Sequence, residues 1–87
     1  MDLLRRDKLD IMKDILTLCQ GQDMKKTQIT YKSNLNFQKG SEFVEWLKFH
    51  ELLMEEKKGV YKTTPAGETL LHKLEKLTTV LSDSEKM

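Results

Sequence analysis

The sequence predicts a small, mainly α-helical fold carrying one β-hairpin. Three observations lead there: segments with helical apolar period, two strand-like runs around a Lys-Lys-Gly turn, and a length of 87 residues, which supports one hydrophobic core. At 38% hydrophobic and 33% charged, the chain has enough apolar surface to fold, unlike a low-hydrophobicity disordered segment. Its single cysteine, Cys19, excludes an internal disulfide. With only His50 and His72 beside that thiol, one chain cannot assemble a four-ligand zinc site. No metal and no cofactor is expected.

The first periodic segment runs from about Asp7 to Gln20. At 100° per residue, Leu9, Ile11, Met12, Ile15, Leu16, Leu18 and Cys19 fall on one half of the wheel, with Asp10, Lys13, Asp14 and Thr17 opposite. Cys19 is expected as a small core residue. Gly21 stops this helix, and Gln22-Asp23-Met24-Lys25-Lys26 is expected to be a short polar connection. Thr27 is a candidate cap for a short second helix that ends near Ser33-Asn34 and carries Ile29 inward. Asn36 is the cap candidate for a third, from Phe37 to about His50. There Phe37, Gly40, Phe43, Val44 and Leu47 share one arc, opposite Gln38, Ser41, Glu42, Glu45 and Lys48. A glycine inside a helix costs about 1 kcal/mol relative to alanine, so Gly40 predicts a close backbone approach. Trp46 and Phe49 lie off the apolar arc and are expected to pack beneath the hairpin or against the last helix.

Beyond Leu52, the runs Leu53 to Glu56 and Gly59 to Thr63 flank the turn and predict the hairpin. Thr64-Pro65 then pairs a capping residue with proline at the first helical position, where its missing N–H costs nothing. Along the final helix, about residues 65–81, Leu70, Leu71, Leu74, Leu77 and Leu81 form a stripe. The steps of four, three and four from Leu70 through Leu74 and Leu77 to Leu81 are those of a coiled-coil seam. Residues 1–81 are expected to form a single domain, with 82–87 as a frayed tail.

Helix, short helix, helix, hairpin, helix is the order of a winged helix-turn-helix. Three segments add a resemblance: Arg5-Arg6-Asp7-Lys8-Leu9, the run Lys26-Thr27-Gln28-Ile29-Thr30-Tyr31-Lys32-Ser33-Asn34-Leu35-Asn36, and Tyr61-Lys62-Thr63-Thr64-Pro65-Ala66-Gly67-Glu68-Thr69-Leu70-Leu71. Together they resemble archaeal winged-helix DNA-binding proteins, a family of transcriptional regulators and small chromatin-associated proteins that dimerise through a C-terminal helix. The resemblance covers residues 5–77. It implies contact with double-stranded DNA through Lys26 and Thr27 at the start of the second helix, Gln38 and Ser41 on the third, and Lys57 and Lys58 at the hairpin tip. Tyr31 would support the turn or meet the DNA backbone.

The net charge of +1 does not itself call for an anionic partner, but its distribution is uneven: residues 1–41 sum to +3 and residues 42–87 to −2. Lys25, Lys26, Lys32 and Lys39, with Arg5, Arg6 and Lys8, are candidates to face phosphates, Lys25-Lys26 the more so for lying beside a helix N-terminus. Gln38 has the groups for a bidentate pair with adenine, and Ser41 can donate to a phosphate. Glu42 and Glu45 on the same face repel phosphates, and with Trp46 and Phe49 they support a rival, a winged-helix module that docks a protein. Leu74, Leu77 and Leu81 are the candidate dimerisation row, which predicts a homodimer through the last helix. No Gly-rich phosphate loop or nucleophile-base pair points to an enzyme. Nor does any run approach the ~18 apolar residues of a membrane span. The early charges at Asp2, Arg5 and Arg6 leave no signal-peptide apolar region, so the expected location is the cytoplasm, at the nucleoid.

Overall fold

The computed structural model describes residues 7–85, with side chains described for 7–77. In chain order the elements are α1 (Lys8–Leu18), β1 (Met24–Lys25), α2 (Lys26–Lys32), α3 (Phe37–Phe49), β2 (Leu53–Lys57), β3 (Val60–Thr63) and α4 (Pro65–Glu85). Asp7 caps α1 by accepting from the Asp10 N–H at 2.9 Å, and Asn36 caps α3 by accepting from the Lys39 N–H at 2.8 Å. α4 continues to Glu85, past the expected end at Leu81.

Two local expectations change. The expected polar connection contains β1, which pairs antiparallel with β3 through Met24 opposite Tyr61 and Lys25 opposite Val60, so the sheet has three strands in the order β1-β3-β2. Met24 is buried there. α2 begins one residue before Thr27, with Lys25 as its N-cap; the Gln28 side chain reaches back and accepts from the Lys25 N–H at 3.0 Å. Thr27 is therefore the second residue of the helix rather than its cap.

The core is mostly aliphatic: Ile15 and Leu16 of α1, Ile29 of α2, Val44 and Leu47 of α3, Leu53 of β2 and Leu71 of α4, joined by Cys19, Met24 and Tyr61. Burial pushes the Cys19 thiol up to about 12. Truncating one of the buried Leu or Ile side chains to alanine is expected to cost about 2–5 kcal/mol. The sheet is tied to α1 by its orphan carbonyls. Gln20 N–H donates to Thr17 O rather than to Leu16 O, so Leu16 O accepts instead from the buried Thr63 hydroxyl at 2.8 Å, while Thr63 N–H donates to Cys19 O at 3.2 Å.

Both ends of the α2–α3 unit close with left-handed residues. After α2, Asn34 (φ 63°) lets its N–H donate to Tyr31 O and the Leu35 N–H donate to Thr30 O. After α3, Glu51 (φ 61°) does the same, with its N–H on Lys48 O and the Leu52 N–H on Leu47 O. Each is a Schellman closure, at a position where glycine is the usual occupant. Between the two helices there is a close approach at Gly40, made by the Thr30 side chain rather than by the expected backbone. Gly40 is buried, and a Cβ there would collide with the Thr30 side chain.

The start of α4 is held as Thr64-Pro65 predicts. The Thr64 hydroxyl accepts from the Gly67 N–H at 2.9 Å and donates to Glu51 O at 2.7 Å, while a Cβ at Gly67 would strike the Leu52 carbonyl. The chain thus turns directly from α3 through the wing and back onto its own base.

Candidate nucleic-acid interface

The outward surface of α3 is set by its inward one. Gly40, Val44 and Leu47 face the core, which leaves Gln38, Lys39, Glu42, Glu45, Trp46 and Phe49 exposed, with Ser41 half-buried at the margin. On α2, Thr27, Tyr31 and Lys32 are exposed, Tyr31 at 84%. Lys25 is exposed at the junction of β1 and α2. Lys57 ends β2 and Lys58 stands in the turn with Gly59 (φ 78°), both exposed at the tip of the wing. Among the described residues, no ion pair engages Lys25, Lys32, Lys39, Lys57 or Lys58.

Lys26 is placed differently from the other lysines. Half-buried, it donates to Glu45 Oε2 at 2.9 Å and lies 5.8 Å from the Tyr61 ring centroid, a cation–π contact. The hydrogen bond it donates to Glu45 holds its ammonium above the ordinary value. Glu45 Oε1 lies 4.0 Å from Lys48 Nζ, Lys48 Nζ is 3.0 Å from Glu55 Oε1, and the Gly59 N–H donates to Glu55 Oε2 at 2.6 Å. A relay of charges thus runs from the start of α2 across α3 and β2 to the wing turn. The Gly59 N–H, followed by Lys48, holds the Glu55 carboxyl below the usual range, and the hydrogen bond to Glu55 raises Lys48.

This relay alters the meaning of the two carboxylates on α3. Glu45 is matched by cations on both sides, which leaves Glu42 as the exposed acid without an ion pair among the described residues. Lys48 and Glu55 were not foreseen. They are separated by seven residues across a helix end and a strand, a spacing with no local signature.

The expected burial of Trp46 and Phe49 is overturned: Trp46 is 47% exposed and Phe49 82%. The reason is that Leu47, Leu53 and Leu71 already fill the space beneath the sheet and α4. Trp46 instead packs on His50 with ring centroids 4.1 Å apart, and Phe49 meets the same imidazole edge-on at 5.1 Å.

On α4, Leu71 is buried, Leu70 and Leu74 are half-buried and Leu77 is 54% exposed. The Leu81 side chain, the third of the candidate dimerisation row, lies outside the described residues, as do Arg5 and Arg6. No described helix is long and apolar enough to cross a membrane, and no group of three or more His, Cys, Asp or Glu is gathered among the described residues to hold a metal ion.

Two helices locked by a glycine contact and joined by a tight turn, then a basic-tipped hairpin whose sheet is completed by a strand ahead of α2, define a winged helix-turn-helix. The chain belongs to the winged helix-turn-helix family, whose model matches residues 5–82. It is also similar to an uncharacterized protein of the archaeon Methanocaldococcus jannaschii, 35% identical over 74 residues. That match covers 85% of this chain and 35% of the relative, so the chain spans about a third of the relative's length.

Proposed function

We propose that this chain is a non-enzymatic, duplex-DNA-binding protein, a transcriptional regulator or chromatin-associated factor working in the cytoplasm at the nucleoid. The observation that carries the reading is the arrangement of free cations around an exposed α3. Lys25, Lys32 and Lys39 surround the helix pair and Lys57 and Lys58 tip the wing, none of them ion-paired among the described residues. In this mechanism α3 enters the major groove with Gln38 against a base edge and Ser41 near a phosphate, while Thr27, Tyr31 and the wing tip hold the flanking backbone. Lys26 serves instead as a scaffold, neutralising Glu45 so that α3 presents less negative charge to the phosphates.

Two copies joined through Leu74, Leu77 and Leu81 of α4 would set two α3 helices on successive major-groove faces. The exposure of Leu77 supports this pairing. Sedimentation equilibrium of the chain and of Leu77→Asp checks it: a dimer that Leu77→Asp dissociates is expected, and a monomer in both removes the two-fold arrangement.

Fluorescence-anisotropy titration of a labelled duplex tests the function. Binding at low salt that weakens steeply as salt rises is expected. No binding, or affinity indifferent to salt, would overturn the proposal in favour of the protein-docking module.

A further inference from the structure

Four of the six aromatic side chains in this protein, Tyr31, Phe37, Trp46 and Phe49, are exposed, and all four belong to the α2–α3 unit. Trp46 also walls a groove of about 320 Å³ between α1 and α3, with Lys8 and Met12 on one side and Lys39, Glu42 and Phe43 on the other. That size is at the lower end of ligand-holding clefts, about 300–1,000 Å³, and suits one nucleotide rather than a folded surface. Its flank of α3 faces α1 and shares Lys39 with the proposed duplex surface, whereas Glu45 faces α2 through Lys26.

We propose that this groove and the adjoining Phe49 ring form a second nucleic-acid site, which takes an unpaired nucleotide of a single strand. The base stacks on the Trp46 indole and the strand continues over Phe49, while Lys8 and Lys39 meet the phosphates. The charge fits this occupant: two cations face one carboxylate, Glu42, and among the described residues none of the three is ion-paired. Exposed aromatic faces interleaved with cations are what single strands use, because every base offers a π-face. Paired bases keep those faces inside the stack, so this site discriminates against the duplex and its occupancy does not depend on the duplex reading.

Trp46 is the only tryptophan in the sequence, so its emission reports the site directly. A short oligothymidylate titrated into the full chain at low salt is expected to quench that emission, and a duplex of equal length to leave it nearly unchanged. Trp46→Ala is expected to weaken binding of a labelled oligothymidylate by roughly 5- to 150-fold, the range that removing one stacked aromatic produces. Its duplex affinity should stay within about two-fold of the parent, since the indole is not asked to touch paired bases. Phe49→Ala, at a side chain almost wholly in water, gives a second reading should Trp46→Ala lose helical circular dichroism. Emission unmoved by saturating single strand, equal quenching by the duplex, or unchanged affinity in both variants would overturn the site. Unmoved emission would leave the aromatic edge to a protein partner.

Discussion

Replacing Gly40 by alanine opposes two effects of known sign. In an exposed helix the change would stabilise by about 1 kcal/mol, the propensity difference between the two residues. At this position the new Cβ would meet Thr30 Oγ1, Cβ and Cγ2, all closer than real Cβ contacts allow. Rotating Thr30 about χ1 moves Oγ1 and Cγ2 but leaves its Cβ in place, so α2 and α3 themselves must separate. Overpacking of this kind costs about 1–3 kcal/mol, and the rigid contact puts Gly40→Ala at the upper end. The net expectation is a loss of about 2 kcal/mol, or ~8–16 °C in Tm for a domain of this size. Thermal and urea unfolding by circular dichroism measure it. A double-mutant cycle with Thr30→Ala, which removes two of the three colliding atoms, should recover about 1 kcal/mol or more of the loss. A Gly40→Ala protein as stable as the parent would show that the helices are not locked here.

Glu51 adopts a left-handed conformation that costs a non-glycine residue about 1–2 kcal/mol, so Glu51→Gly is expected to raise stability by about 0.5–1 kcal/mol after the entropy of the freer unfolded chain is counted; a loss in urea midpoint would contradict this. Cys19, fully buried with its thiol pushed up to about 12, should resist an aromatic disulfide reagent until denaturant is added, and rapid labelling of the native chain would refute its place in the core. The depressed Glu55 carboxyl gives stability that is whole above the ordinary value of 4.5 and is lost as pH falls through the lower folded value. Glu55→Gln should therefore reduce the urea midpoint by a constant amount above pH 4.5, with the gap closing below it; a gap that stays constant into acid would contradict the relay.

Much of this architecture was legible because its signals are local. Asn36 and Thr64 are capping residues followed by periodic apolar side chains, and Gly40 in mid-helix announced a close contact, though not that its partner is the Thr30 side chain of α2. β1 escaped because two residues carry no period, and only the pairing with β3 buries Met24. The N-cap of α2 escaped because the capping group belongs to Gln28, three residues into the helix, while Thr27 offered the more familiar signature. The site was harder to read than the fold. Whether Lys26 points to solvent or to Glu45 depends on how α2 crosses α3, a partner nineteen residues away that no sequence window contains. Trp46 and Phe49 look like core residues until the volume already taken by Leu47, Leu53 and Leu71 is known. Lys57 and Lys58, at the end of a hairpin, could be placed at once because a turn must face water.

The central claim is that the basic-tipped wing and the exposed α3 bind duplex DNA together, and salt dependence tests it most directly. The slope of log Kd against log salt should be measured for the parent and for Lys57→Gln with Lys58→Gln, both exposed positions that leave the core untouched. Each lysine on a phosphate contributes about 0.9 to that slope, so the double variant should bind more weakly with a slope shallower by about 1.8. An unchanged slope would mean that the wing does not touch the duplex and would contradict the account.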